Sequence, residues 1–417
     1  MVGTLQEWGL AVDLLMAVVC CMYVVGILWF MRGISRPLRV TAAPDGPESS
    51  PPDALPFVSI LVAARDEEKH IGAALDCLEK QTYPQDRYEV IVIDDGSVDR
   101  TAALVSERAD ATSCSLRLLA TVTETGSAGS RGRAPGSKKL ALQQGVSAAV
   151  GDIILSTDAD CRVPPEWVAV LAAEFSPDVG MVVGFSRIAI PSERMGVRAG
   201  WEAVDFYNLM LAAMGSAGRG HALAASGQSI GFRRQAFEAV GGYRSVLHRV
   251  SGDDVLLLQL IRRSGDWQIR FCRDPIATVR HPPAPSWRSL LSQRARWASN
   301  APCQMRLDPV FFGYLGTTFL FGLMQVLSPL LLWWGGLSVP VLALAWSCKV
   351  AAEWSLLSRG LRLLPVDDLR RYYLLWTCLH PVYLVGVGVL GCLGRFSWKD
   401  TSFRRGEWDA HIAQTGG

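Results

Sequence analysis

Gly151-Asp-Ile-Ile-Leu-Ser-Thr-Asp-Ala-Asp-Cys-Arg162 decides the fold class of this chain. Ile153, Ile154 and Leu155 form a short apolar run that suits a strand buried on both faces, and the run leads directly into Asp158 and Asp160. Two carboxylates therefore sit at the carboxyl end of a strand. Ligand crevices of open α/β sheets lie at that edge, and hard oxygen ligands there suit Mg²⁺ or Mn²⁺ shared with the phosphates of a substrate. An Asp-x-Asp by itself equally describes a solvated turn, so the neighbouring segments decide between the two.

Upstream, the pattern alternates between strand and helix. Val58 to Ala63 is a buried-strand run, and Glu67 to Glu79 places Ile71, Ala74, Leu75 and Leu78 at the spacing of an amphipathic helix. Glu89 to Ile93 is the next strand, ending in Asp94-Asp95-Gly96-Ser97, where Ser97 and Asp99 can cap a helix opening at Arg100 or Thr101. Leu116 to Thr121 reads as a third strand, Thr123 to Ser137 as a Gly/Ser-rich loop, and Lys138 to Ala149 as a helix. Such alternation implies an α/β domain with a mostly parallel sheet and right-handed crossovers. A dinucleotide-binding reading fails, because no Gly-x-Gly-x-x-Gly follows the first strand. Acidic groups occupy the strand ends instead: Asp94 and Asp95 can accept hydrogen bonds from a base and ribose, and Lys138 can neutralise phosphate.

Taken in order, these segments resemble the family 2 glycosyltransferases, enzymes of the nucleotide-sugar-binding GT-A fold. The resemblance rests on Val58 to Glu68, Val90 to Ser97, Lys138 to Gly145, Asp158-Ala-Asp160, Gly227 to Arg234, Gly252-Asp-Asp254 and Gln293-Arg-Ala-Arg-Trp297, which together run from Phe57 to about Asn300. It implies that Ala63, Arg65 and Glu67 end the first strand where uracil and ribose bind, and that Asp95 contacts the base. By the same resemblance Lys138 lies near the diphosphate, Asp158 and Asp160 hold the metal, Asp254 is the general base beside Asp253, and Gln293, Arg296 and Trp297 close over the diphosphate. The sequence departs from the family pattern in having Ala64 and Arg65 where Pro and Asn are frequent, and Gln143 where Asn is usual.

The chemistry of the residues is compatible with those roles. Leaving diphosphate needs charge neutralisation, which a divalent cation, Lys138 and Arg296 can supply together. An acceptor hydroxyl must lose its proton as it attacks the sugar carbon, and an Asp in a partly dry crevice is a suitable base. One carboxylate opposite the leaving group implies direct displacement with inversion. Because Asp253 and Asp254 are adjacent, repulsion is expected to raise one of the two pKa values; a helix N-cap before Val255 is the simpler alternative role.

The composition, 50% hydrophobic and 19% charged in 417 residues, requires a membrane, while a net charge of +2 without dense Lys/Arg runs excludes a nucleic-acid partner. Leu10 to Met31 is long enough to cross a bilayer and is followed by Arg32, Arg36 and Arg39, which orients the next domain toward the cytoplasm. The expected layout is an anchor at 8–32, a linker at 33–56, a cytoplasmic GT-A domain at 57–280, an interfacial helix at 281–305 with Arg288, Arg294 and Arg296 at the headgroups, a spanning region at 306–395, and a basic tail at 396–417. The expected whole is an integral protein of the inner cell membrane, and the resemblance implies a UDP-sugar donor and a lipid acceptor. Trp201 and Tyr207, at helical spacing, are either core or acceptor contacts, and Gly227 and Gln228 join them as acceptor candidates. Lys349 and Glu353 are one helical turn apart in an apolar segment, where they either pair and matter for function or, as the expected state, snorkel near the segment end.

Four crossings put the basic tail outside, against the charge tendency, unless one segment fails to cross; Pro381 marks a possible break. A processive polysaccharide synthase is the nearest competing reading, and an inactive nucleotide-sugar sensor is the third.

Overall fold

The computed structural model describes residues 2–35, 55–121, 137–189, 196–366, 369–394, 396–398 and 401–403. Most of the expected linker, the Gly/Ser-rich loop after Thr123 and the greater part of the basic tail lie outside the described residues. In chain order the elements begin with α1 (Val2–Ile34), β1 (Val58–Ala64), α2 (Ile71–Glu79), β2 (Tyr88–Asp94), α3 (Thr101–Ala111), β3 (Leu116–Ala120), α4 (Ser137–Ala148) and β4 (Ile153–Asp158). Then come α5 (Trp167–Ala173), β5 (Val179–Val183), β6 (Ser186–Ile188), α6 (Val197–Gly218), β7 (Ile230–Arg233), α7 (Arg234–Ala239), α8 (Val255–Ser264), β8 (Gln268–Phe271) and β9 (Val279–His281). The chain ends with α9 (Trp287–Ala298), α10 (Ala301–Leu307), α11 (Pro309–Trp333), α12 (Val339–Leu363), α13 (Tyr373–Cys392), β10 (Phe396–Trp398) and β11 (Thr401–Phe403).

Two units emerge. Among the described residues the α/β unit holds 55–189 and 220–283, and the helical unit holds 2–35, 196–219 and 284–403. Residues 196–219, read from sequence as part of the 57–280 domain, thus cluster with the membrane helices.

The α/β unit is built on a seven-stranded sheet of order β3-β2-β1-β4-β7-β5-β8, in which β7 alone runs antiparallel to its neighbours. Ile60, Val62, Val90 and Val92 are fully enclosed, each contributing about 1.5–3 kcal/mol of apolar burial. The chain leaves β1 toward β2 and β3, then returns to β1's other side for β4. That reversal opens a crevice at the carboxyl ends of β1 and β4. Strand register makes the crevice edge level: Ala63 pairs with both Ile93 and Asp158, and Ala64 with Asp94.

The two loops at this edge are laced together. Asp66 N donates to Ser97 Oγ at 3.0 Å, and Val98 N donates back to Asp66 Oδ1 at 2.8 Å. Glu68 N reaches Asp99 Oδ2 at 3.0 Å, while Arg100 N reaches Glu68 Oε2 at 3.1 Å. Arg100 stands at the N-cap of α3 without a side-chain cap; Asp99 Oδ1, one residue earlier, accepts from Thr101 N at 2.9 Å, and Ser97 serves the neighbouring loop.

Among the described residues of the helical unit four segments are long and apolar enough to span a membrane: Glu7–Ile34, Pro309–Trp333, Val339–Leu363 and Leu369–Cys392. α1 and α6 meet glycine to glycine, since a Cβ at Gly33 would collide with the Gly215 carbonyl. Small residues allow such close backbone approach between helices.

The snorkelling expected of Lys349 is overturned. Its side chain is buried and donates to Glu353 Oε2 (2.8 Å), Thr377 Oγ1 (2.8 Å) and Thr377 O (3.0 Å), and Tyr23 OH donates to Glu353 Oε1 at 2.6 Å. Every ammonium proton has an acceptor, so the charge is satisfied inside the bundle and joins α1, α12 and α13.

Candidate active site

Lys138 opens α4 and reaches across the crevice, 2.7 Å from Asp158 Oδ1 at the end of β4 and 2.7 Å from Asp253 Oδ2. Next to Asp253, Asp254 is the N-cap of α8. Its Oδ1 accepts from Val255 N at 2.6 Å, and its Oδ2 accepts from Gly227 N at 2.8 Å. The capping role and the site role therefore fall on one residue. A Cβ at Gly227 would stand 3.1 Å from Asp253 Oδ2 and 3.4 Å from Lys138 Nζ, so glycine lets the backbone approach this cluster.

Asp158, Asp160 and Cys161 offer ligand atoms within 4.8 Å of one another. Burial and the two flanking carboxylates hold the Cys161 thiol well above its usual range, which keeps it protonated and leaves an all-oxygen donor pair. That donor chemistry fits Mg²⁺ or Mn²⁺ completed by phosphate oxygens.

The carboxylates do not share one state. Burial, reinforced by Asp253, raises Asp254 to about 6. Burial, reinforced by Asp158 and Glu67, raises Asp160 to about 6 as well. Burial alone would also raise Asp253, but Lys138 outweighs it and holds Asp253 below the usual carboxylate range. Lys138 in turn is pulled down by burial and held well above its usual value by Asp158 and Asp253. Sequence left open which of the adjacent pair would be raised; the lysine settles it in favour of Asp254.

The family model of Glycosyl transferase family 21 matches residues 12–385. The chain belongs to that family. The motif resemblance pointed to family 2, so the family number differs while the GT-A-type fold and membrane association stand. Similar relatives include a beta-monoglucosyldiacylglycerol synthase from Nostoc sp., 30% identical over 249 residues covering 59% of this chain and 49% of the relative. A second, from Synechocystis sp., is 29% identical over 323 residues covering 73% of this chain and 63% of the relative. The chain thus spans about half the length of the first and under two thirds of the second. A solved mannosyltransferase from Pyrobaculum calidifontis, in complex with GDP-Man and Mn²⁺, superposes with a TM-score of 0.58 at 23% identity over 93% of this chain and 98% of that one.

Within this family 21 glycosyltransferase, the α/β unit brings together Ala63, Arg65, Glu67, Asp95, Lys138, Asp158, Asp160, Asp253, Asp254 and Gly227 around the carboxyl ends of β1, β2 and β4. Asp95 is buried beside β1, its N–H donating to Ala64 O at 2.8 Å. Gln228 contributes its carbonyl to Thr157 Oγ1 at 2.8 Å, and its side chain accepts from Ser226 at 3.1 Å.

Gln293, Arg296 and Trp297 lie on α9 in the helical unit. Placing Arg294 at the headgroups needs correction: it is buried, donates to Asp205 Oδ2 and Tyr383 OH at 3.1 Å each and to Gln293 Oε1 at 3.1 Å, and stacks on the Trp297 ring at 4.2 Å. An acidic partner on α6 makes burial of the guanidinium tolerable. Trp201 and Tyr207 are core residues of the same unit. Trp201 packs edge-on against Tyr383 at 4.6 Å, and Tyr207 OH donates to Leu364 O at 2.7 Å.

Two supporting residues, Lys139 and Tyr243, escaped sequence reasoning, and a third, Gln143, stood out only as a departure from the family pattern. Lys139 is buried and donates to Arg249 O at 2.7 Å and Ser251 O at 3.0 Å, fixing the loop that leads to Asp253. Tyr243 OH donates to the Asp253 carbonyl at 3.0 Å, and Gln143 Oε1 accepts from Tyr243 N at 3.0 Å. Gln143 thus supports the acidic loop, a structural role for the residue that stands where Asn is usual. The one signal was periodicity: Lys139 occupies the apolar face of α4 with Leu142 and Val146.

Proposed function

We propose that this chain is an inverting glycosyltransferase that moves a hexose, most simply glucose, from a UDP-sugar to the hydroxyl of a membrane lipid. The observation that carries the proposal is the bridge of Lys138 between Asp158 and Asp253, with Asp254 raised beside it. Four carboxylates, Asp158, Asp160, Asp253 and Asp254, face one ammonium, so the crevice carries a negative surplus that a divalent cation would balance. Asp158 and Asp160 would hold it, and bound Mg²⁺ or Mn²⁺ supplies charge neutralisation for a leaving diphosphate. Lys138 supplies a second positive charge to the same oxygens. Asp253 stays ionised and Asp254 accepts the hydroxyl proton, a task suited to a carboxylate whose pKa lies near 6. Asp254 Oδ1 and Oδ2 are oriented by Val255 N and Gly227 N, which fixes the direction from which the acceptor oxygen approaches.

Gln293, Arg296 and Trp297 are proposed to complete the diphosphate site, with α9 at the cytoplasmic face of the inner membrane. The named activity of the cyanobacterial relatives makes diacylglycerol the first acceptor to test. The test of the base is Asp254→Asn, which keeps an oxygen for one of the two backbone donors. Transfer is expected to fall by about 10²–10⁴-fold with UDP affinity changed by no more than a few fold. Near-normal transfer would remove Asp254 from the mechanism.

A further inference from the structure

The helices of the helical unit record their depth through their contacts with α1. α11 starts beside the carboxyl half of α1, where Tyr314 meets Phe30 edge-on at 5.2 Å and a Cβ at Gly26 would touch the Tyr314 ring at 3.1 Å. It ends at the opposite end of α1: the Gly335 carbonyl lies 3.0 Å from the Cβ position of Gly9, and the Trp8 indole nitrogen lies 2.8 Å from that of Gly336. α12 then returns. Ser338 N donates to Asp13 Oδ1 at 2.8 Å, Glu353 accepts from Tyr23, and Gly360 abuts Leu211 of α6. Both helices have 25 residues, about 37 Å at 1.5 Å per residue, enough for a hydrocarbon core of about 30 Å.

α13 behaves differently. It is entered through Tyr372, whose ring abuts Gly200 in the first turn of α6. Along its length Trp376 Nε1 and Tyr383 OH both donate to Asp205 of α6, at 3.3 and 3.2 Å. At its far end a Cβ at Gly391 would meet Ala298 Cβ at 2.7 Å and the Ala295 carbonyl oxygen at 2.9 Å, both on α9, and β10 packs on α9 immediately afterwards. Its glycine-mediated contacts with α11 fall at Phe319 and Gly322, about 20 Å short of Gly335 at the helical rise. The beginning, middle and end of α13 therefore touch α6 and α9, two helices that precede the first downstream crossing.

We propose that α13 does not cross the bilayer. It lies in the leaflet on the α9 side, its exposed Leu374, Leu379, Val382 and Leu393 facing acyl chains, and the chain crosses three times, through α1, α11 and α12. The charge pattern agrees without exception. Residues 2–7 and 334–338, on the far side, contain no Lys or Arg, whereas Arg32, Arg359, Arg362, Arg370 and Arg371 all fall on the α9 side, and the sequence is again basic at 395–405. Three crossings thus remove the conflict that four create at the basic tail. They also give α9, which carries Gln293 to Trp297, a support immersed in the leaflet, through Tyr383 on Arg294 and Gly391 on Ala295. The topology stands apart from the reaction proposed above and can fail without it.

The test places short epitope tags on the full chain before Met1, after Gly417 and, separately, between Gly335 and Gly336, and probes each in sealed right-side-out and inside-out vesicles with an impermeant protease. The two terminal tags are expected on opposite faces, with the 335/336 tag on the face of Met1. Terminal tags on the same face would mean that α13 crosses and would overturn the proposal, as would a 335/336 tag on the face of Gly417. If the internal insertion prevents folding, judged by gel filtration, the terminal pair still decides between three and four crossings.

Discussion

Lys138 and Lys349 each bind acidic groups, yet the two are left in different states. Lys349 has three acceptors from its own chain and its side chain is 2% exposed, so its charge is closed off and its role is to join helices. Lys138 is 23% exposed and faces more negative charge than it can balance, with Asp160 and Asp254 both raised to about 6 around it. A saturated ion pair organises a bundle; an over-acidic crevice is organised for something that arrives with positive charge or gives up a proton. The contrast, rather than the presence of charged residues, separates site from scaffold in this chain.

The contrast breaks first at Lys349. Lys349→Met leaves Glu353 buried with one partner fewer and is expected to destabilise the folded protein by about 3–5 kcal/mol, read as a lower melting temperature in detergent, while Lys349→Met combined with Glu353→Leu recovers most of the loss. A single variant as stable as the parent would mean the pair is not structural. In the crevice the reverse pattern is expected. Asp160→Ala leaves the melting temperature close to that of the parent but weakens Mn²⁺-dependent UDP binding by about 100-fold or more, since it removes one of two oxygen donors. Unchanged metal dependence in calorimetry would refute the ligand assignment.

The pH profile sharpens the same contrast. Asp254 must be ionised to accept a proton, and its pKa is raised to about 6. Turnover is therefore expected to be level at neutral pH and to fall about tenfold per unit below 6. For stability the sign is opposite: a raised carboxyl pKa means that the native state binds more protons between about 4 and 6, so ionised Asp254 destabilises the fold above that window. Asp254→Asn should accordingly melt no lower than the parent at pH 7. The smallest effect belongs to Lys139, adjacent to Lys138 but held by two backbone carbonyls. Lys139→Met is expected to cost about 1–3 kcal/mol of stability, lowering the melting temperature, whereas Lys138→Ala lowers turnover without that loss.

Much of the α/β unit was legible in the sequence because its strands are short apolar runs with acidic ends, and the period of a buried parallel sheet is hard to mistake. β1, β2, β4, α2 and α4 fall within a few residues of where Val58, Glu89, Ile153, Glu67 and Lys138 placed their starts. The crevice cluster was legible residue by residue, since Asp158, Lys138 and Asp254 stand in ordered motifs. Their mutual geometry was not, because it depends on long-range contacts such as Lys139 with the 249–251 loop and Gln143 with Tyr243. In the helical unit hydropathy gave the segments but could not tell a helix that crosses from one that lies flat. It also could not separate a snorkelling lysine from a satisfied one, since the partners Thr377 and Tyr23 are distant in sequence.

The central claim is that a single hexose passes from a nucleotide sugar to a membrane lipid. Its most direct test incubates the detergent-purified full chain with Mn²⁺, a panel of labelled UDP-sugars plus GDP-mannose, and diacylglycerol or a total membrane lipid extract, followed by mass spectrometry of the organic and aqueous phases. The account predicts one hexose increment on an organic-soluble lipid, from a UDP-sugar, absent without the divalent cation. A ladder of sugar additions or a water-soluble polymer would contradict it in favour of a synthase, and UDP binding with no transfer to any lipid would leave a sensor.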